Sequence, residues 1–261
     1  MRILMIGAGR LASQLAPALQ QAGHEILQVF SRTAASAETL SRRVGAQPIT
    51  DLNEADAGVD ACIFSVTDTA LPLLISQMAG RCPRALYLHT AGSIPLSVFE
   101  GTAHRYGVFY PMQTFSRERA VDFRTIPIFI EASDDETLRM VRQLAQDISN
   151  RVIDLPSEER RHLHLAAVFA CNFANHCYQL SAEILARHGL PFDVMLPLID
   201  ETAAKVHELA PVQAQTGPAV RYDQNVMQKH LDLLADMPRL ASIYQDMSNS
   251  IHESSQNNSN D

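Results

Sequence analysis

Apolar residues follow two different rhythms along this chain. Up to about residue 155 they come as short continuous runs: Ile3–Ile6, "EILQVF" (25–30), "DACIFSV" (60–66), "RALYLHTAGS" (84–93), "YGVFYPMQTFS" (106–116), "IPIFIEA" (126–132) and "RVIDL" (151–155). Runs this short, bounded by Gly, Pro and polar residues, predict buried strands of a largely parallel sheet. Between them Leu15, Leu19 and Ala22 space as one helical face closed by Gly23, Asp68 is placed to cap a second helix, and 134–147 reads as a third. From Pro156 the strand signals stop. Ser157-Glu158-Glu159 reads as a cap followed by acids that suit a helix N-terminus, with the helix running unbroken to about His188 and stopping at Gly189. Helices over 191–208, 219–236 and 238–251 follow. This order predicts an α/β, Rossmann-type doubly wound sheet over 1–155, an all-α domain over 156–251, and a frayed tail over 252–261.

The first strand runs directly into Gly7-Ala8-Gly9-Arg10-Leu11-Ala12 and a helix, with a second strand about thirty residues from the start. Strand, tight glycine turn, helix and strand form the context that a G-x-G-x-x-G/A dinucleotide fingerprint requires. Gly7 permits the turn, Gly9 lets a pyrophosphate approach the backbone, and Ala12 allows helix and strand to pack closely. The helix N-terminus attracts the anion. The second strand ends Phe30-Ser31-Arg32-Thr33, without the acid that binds the ribose 2′-hydroxyl of NAD. Hydroxyls and a guanidinium suit a 2′-phosphate. The expected cofactor is NADP(H).

In an open parallel sheet, ligands lie beyond the carboxyl ends of the strands. Ser65, Val66, Thr67, His89, Thr90, Gly92 and Ser93 therefore join the expected cofactor site, and Tyr110-Pro111-Met112-Gln113 reads as a loop on its substrate side.

In the second half, His164, Val168, Cys171, Asn172, Asn175, Gln179 and Ala182 share one stripe of a helix at about 100° per residue. Polar groups on an apolar helix need partners. Such a stripe fits a helix that lines a wet crevice between the domains, and it also fits a helix–helix interface with satisfied polar groups. Glu201-Thr202-x-x-Lys205 and "PVQAQTGPAVRYD" (211–223) offer further polar groups.

Composition narrows the partners. The 261 residues are 46% hydrophobic and 19% charged, enough to bury a sizeable core, and the formal net charge of -8 argues against nucleic acid. No stretch approaches the ~18 apolar residues of a membrane span, and the N-terminal apolar run is too short for a signal-peptide core. The four cysteines have no zinc-ligand spacing, so no metal is expected, and they read as reduced thiols in a cytoplasmic protein.

The chain resembles the Rossmann-like NADP-binding proteins that carry a C-terminal domain of unknown function, DUF2520. The residues that carry the resemblance span both domains: "HTAGSIPLSVF", "YGVFYPMQTFS", "IPIFIEA", "HLHLAAVFACNFANH", "PLIDETAAK" and "QTGPAVRYD". More distantly it is similar to pyrroline-5-carboxylate reductases and F420-dependent NADP oxidoreductases, with a helical domain like that C-terminal in 6-phosphogluconate dehydrogenase. The resemblance implies NADP(H) binding, an oxidoreductase architecture and a homodimer formed through the helical domain. It supplies no substrate. The related β-hydroxyacid dehydrogenases place a catalytic lysine four residues before an asparagine on the first long helix. Here that position is Val168, so their mechanism does not transfer intact.

Two functional classes follow. The first is an NADP-dependent oxidoreductase acting on a small carbonyl, imine or hydroxy compound between the domains. His164 or Lys205 would then handle the proton, and Asn172 and Asn175 would orient the substrate. The second is a non-catalytic NADP(H)-binding sensor or scaffold, which the missing helix lysine favours and the polar stripe does not. A deazaflavin-linked reductase would need a site that these residues do not display.

Overall fold

The computed structural model describes residues 1–257. Two compact units divide it, one from Met1 to Cys171 and one from Asn172 onward.

The first unit is an eight-stranded sheet. Strands β1 (Arg2–Ile6), β2 (Glu25–Phe30), β3 (Gln47–Ile49), β4 (Ala61–Phe64), β5 (Leu86–His89), β6 (Arg105–Pro111), β7 (Ile128–Ala132) and β8 (Val152–Asp154) lie in the order β3-β2-β1-β4-β5-β6-β7-β8. All neighbours are parallel except β6 and β7, which run antiparallel. Strand β3 leaves little signal in the sequence because it is only three residues long and contains Pro48. It sits at the sheet edge, where a missing N–H is tolerated.

Helices cover both faces: α1 (Arg10–Gln21), α2 (Ala34–Val44), α3 (Leu71–Met78) and α4 (Asp135–Gln146). Strands buried on both faces read as unbroken apolar runs, as β1, β4 and β5 do. Alternation along each strand splits the core in two. Ile3, Met5, Ile63, Leu86 and Leu88 face one layer with Leu15 and Leu19 of α1, while Leu4, Ile6, Phe64 and Tyr87 face the other with Leu74 and Met78 of α3. Asp68 does not cap α3, as its position suggested. That helix begins three residues later behind Ala70, and the Asp68 carboxylate accepts the Ser93 hydroxyl instead.

The expected long helix is three pieces: α5 (Ser157–Ala167), a π-helical turn (Val168–Phe173) and α6 (Ala174–Arg187). A π turn holds more residues than an α turn, so the steady advance assumed for the polar stripe does not carry through 168–173. Ser157 is not the cap expected of it either. Its hydroxyl donates to Glu131 and accepts from the Leu96 N–H. Segment 156–171 falls with the sheet unit and not beyond a boundary near 155, and Arg160 supplies the physical reason. Its side chain is wholly buried and ion-paired to Glu131 of β7.

The second unit continues from α6 with α7 (Leu196–Lys205), the short α8 (Pro211–Ala214), α9 (Gln224–Leu233) and α10 (Pro238–Asn257). Gly189, at φ 68°, ends α6 as expected. Helix α10 continues through 252–257, where a tail was expected; the rest of that tail, 258–261, lies outside the described residues. Among the described residues no helix is long and apolar enough to cross a membrane, and no His, Cys, Asp or Glu cluster could hold a metal ion.

Candidate functional site

Register sets the site. Ile6 is level with Phe30 and Phe64, Phe64 with His89, and His89 with Val108. Gly7, Ser31, Ser65, Thr90 and, slightly further on, Tyr110 therefore emerge along one edge, at the carboxyl ends of five adjacent strands. A cavity of about 550 Å³ opens there. Volume alone does not single it out, since a cavity of about 550 Å³ also lies in the second unit beside Pro211, Gln213 and Val220. Its position at the point where strand order reverses, and its lining, do.

At one end lies the glycine turn. Gly7 has φ 111°, and a Cβ there would lie 2.2 Å from the Ser65 carbonyl oxygen, so the protein itself demands glycine. Gly9 is different. Its φ of -79° is ordinary, and a Cβ there would meet nothing within 4 Å. The protein places no demand on Gly9, whereas a ligand pressed against the backbone would. Helix α1 starts behind Gly9 with no side-chain cap and no acid in its first turn, which leaves its N–H groups free for an anion. Ala12 is fully buried against the sheet, and Arg10 and Leu11 line the cavity.

Ser31, Arg32, Thr33 and Ser36 line the cavity beyond β2. Thr33 precedes α2 without a capping bond, and that helix also lacks an acid in its first turn. The group fits a 2′-phosphate and offers no carboxylate to a ribose diol. A phosphorylated dinucleotide therefore fits the residues present.

Across the cavity stand Ser65, Val66, Thr67, Thr90, Gly92, Tyr110 and His164. The Thr90 hydroxyl is committed to the Phe64 carbonyl at 3.2 Å. Tyr110 Oη and His164 Nδ1 are hydrogen-bonded at 3.1 Å, with their rings edge to face. Burial raises the Tyr110 phenol above its usual range, partly opposed by the Arg160 guanidinium. Gly92 completes the pair, because a Cβ on it would lie 2.6 Å from His164 Nδ1 and 3.0 Å from Tyr110 Cζ. Tyr110 belongs to strand β6 and not to a loop as expected. The sequence signal for it was the β6 run itself, whose end must meet the same sheet edge.

Besides Ala12, five expected site residues lie off the cavity lining. His89 is fully buried, since alternation turns it to the Tyr87 side of β5, where its ring stacks on Phe99 at 5.6 Å. Its Nδ1 accepts the Ala91 N–H, and burial, reinforced by the Arg160 guanidinium, depresses its pKa to about 3. Ser93 bonds Asp68 and does not line the cavity. Every lining residue belongs to the first unit. Asn172, Asn175 and Lys205 belong to the second, where both asparagines are exposed and Lys205 lies 3.8 Å from Glu201 one turn away.

A Rossmann sheet with an intact phosphate turn, followed by a helical segment, defines the class as a dinucleotide-binding protein with a helical C-terminal domain. The chain belongs to the family of Rossmann-like proteins with a C-terminal DUF2520 domain. A Rossmann-like domain matches residues 1–110, and the domain of unknown function DUF2520 matches residues 126–251. A crystal structure from Bacteroides fragilis, described as a "putative NADP oxidoreductase", is 54% identical and superposes with a TM-score of 0.94 over 97% of this chain and 98% of that one. A protein from Thermotoga maritima shares the fold at 20% identity (TM-score 0.81, covering 97% and 99%). So does a 1-pyrroline-5-carboxylate reductase from Streptococcus pyogenes at 12% (TM-score 0.64, covering 97% and 98%). No curated protein matches the chain.

Proposed function

We propose that this protein is an NADP-dependent oxidoreductase that interconverts a small carbonyl or imine compound and its reduced form. The observation that carries the reading is one cavity with two chemistries. An uncapped helix N-terminus with Arg32 stands at one end, and the hydrogen-bonded Tyr110–His164 pair stands at the other. The names of the Bacteroides fragilis and Streptococcus pyogenes proteins support it.

When bound, the cofactor supplies hydride from C4 of its nicotinamide ring. The chain's residues must then hold the acceptor and manage one proton. Tyr110 and His164 both reach the cavity, and either Tyr110 Oη–H or His164 Nδ1–H is the donor of the shared bond, according to the imidazole tautomer. With His164 Nδ1–H donating to Tyr110 Oη, the phenol proton is free to point at a substrate oxygen or nitrogen, and the imidazole steadies the phenolate that its departure leaves. Ser65, Thr67 and the backbone around Ala91 and Gly92 supply the remaining polar surface. Such a reading does not need the lysine that Val168 replaces.

Oxidation of NADPH, followed by its absorbance with a panel of small aldehydes, ketones and cyclic imines, tests the proposal. Turnover that falls about 100-fold or more in both Tyr110→Phe and His164→Ala supports it. NADPH binding with no turnover across the panel favours the sensor reading, and turnover that survives both substitutions removes the pair from the mechanism.

A further inference from the structure

We propose that Arg117 is a phosphate contact for the cofactor, gripping the pyrophosphate from a segment outside the glycine turn. The inference rests on the NADP(H) reading of the cavity. Arg117 lines that cavity together with Gly7, Gly9, Arg10 and Arg32, yet it comes from the stretch that follows β6, far along the chain from the Rossmann fingerprint.

The stretch is built, not loose. Phe115 stacks on Phe123 at 5.8 Å, and the Ser116 hydroxyl accepts the Arg119 N–H at 3.2 Å, closing a tight turn around Arg117. The Ser116 carbonyl accepts from Gln14 Nε2 at 2.9 Å, and Gln14 is a buried residue of α1. The residue immediately before Arg117 is thus fastened to the helix whose N-terminus carries the glycine turn. That attachment ties the Arg117 turn to α1. Arg32 follows β2, where a 2′-phosphate would lie, whereas Arg117 shares the cavity lining from a turn tied to α1, the helix behind the phosphate turn.

Charge supports the division. Among the described residues no carboxylate forms an ion pair with Arg10, Arg32 or Arg117, and the Asp68 carboxylate on the lining is engaged by Ser93. A bound NADPH brings roughly two negative charges on its 2′-phosphate and about one more on each of the two phosphates of its pyrophosphate. Arg32 answers the first. The α1 N-terminus with Arg10 faces the second from one side, and Arg117 completes it from the other with a guanidinium fork suited to phosphate oxygens.

Fluorescence titration of NADPH and of NADH against wild type, Arg117→Ala, Arg117→Lys, Arg119→Ala and Arg32→Ala decides the point. Both nucleotides carry the pyrophosphate, so Arg117→Ala is expected to raise Kd for both by roughly tenfold, and the loss shrinks as salt is added. Arg32→Ala raises it for NADPH alone. Arg117→Lys keeps the charge without the fork and falls between wild type and Arg117→Ala. Arg119→Ala, on the same turn but not on the cavity lining, leaves both affinities unchanged. If Arg117→Ala melts early, the comparison of Arg117→Lys with Arg119→Ala carries the test. An unchanged affinity without Arg117, a loss confined to NADPH, or an equal loss in Arg119→Ala overturns the assignment. A wild type that binds neither nucleotide overturns the cofactor reading itself.

Discussion

Arg160 of α5, with no exposed side-chain surface, donates through Nη1 to the Glu131 carboxylate of β7 at 2.6 Å. Its Nη2 donates to the Ile94 carbonyl at 2.6 Å and to Ser157 Oγ at 3.1 Å. One buried guanidinium therefore joins a helix, a strand and the segment after β5. His164 stands one helical turn beyond Arg160, so the same bond sets its ring against Tyr110.

Removing one partner of such a pair leaves the other charge buried and unpaired, which costs about 3–5 kcal/mol. Arg160→Met should lower stability by that order in denaturant melts and should weaken any Tyr110–His164 activity as well. Replacing Arg160 and Glu131 together by apolar residues should cost less than the two single changes added. A loss below about 1 kcal/mol for Arg160→Met would show that the pair is incidental.

Much of this was legible in the sequence, and the exceptions have physical reasons. The β1–α1–β2 unit shows in full because buried parallel strands and a glycine turn leave strong local signals. The Arg160–Glu131 bond does not, because a buried ion pair between a helix and a strand has no periodicity. Strand-end position suggested that His89 faces the cofactor, but alternation along β5 decides direction, and it sends the ring to Phe99. Arg117 was invisible for a related reason, since a tertiary bond between Gln14 and Ser116 ties its turn to α1.

The two glycines of the turn make opposite predictions. Gly7→Ala forces a left-handed residue against the Ser65 carbonyl and should cost several kcal/mol, more than the ~1–3 kcal/mol of ordinary overpacking. A Cβ at position 9 meets no protein atom within 4 Å, so Gly9→Val should melt close to wild type. It should nevertheless weaken NADPH binding by roughly tenfold or more, equivalent to at least about 1.4 kcal/mol. Calorimetric melts paired with NADPH titration separate them. Unimpaired binding in Gly9→Val would place the pyrophosphate elsewhere.

His89 predicts an acid-sensitive step. Its pKa is depressed to about 3 in the folded protein, from an ordinary value of 6.5. Between those values the unfolded chain takes up a proton that the folded one refuses, so stability rises with pH through that window. The contribution is complete above 6.5 and is lost progressively as pH falls from 6.5 toward 3. His89→Phe keeps a ring against Phe99 and removes the titration, so its stability should vary less between pH 4 and pH 7, by a few kcal/mol, than that of wild type. Chemical denaturation at several pH values gives the two curves. Parallel curves would mean that the acid sensitivity resides in other groups.

The second unit predicts its own partner. Among its described apolar side chains only Leu185, Ala219, Met227 and Leu234 are buried, whereas Leu198 is 62% and Leu233 77% exposed. Tyr178, Leu190, Val194, Val206 and Leu209 are exposed as well. Short amphipathic helices with so little shared interior do not hold together on helix propensity alone. A two-fold interface between copies of the chain would cover these faces with the same surface from each side. Light scattering at micromolar concentration should therefore report a homodimer, twice the 28.8 kDa chain mass. The melting temperature should rise with protein concentration, because association stabilises the folded form by mass action. Leu198→Glu should shift the population toward monomer and lower the melting temperature. A wild-type monomer mass, with melting independent of concentration, would leave these faces serving some partner other than a second copy.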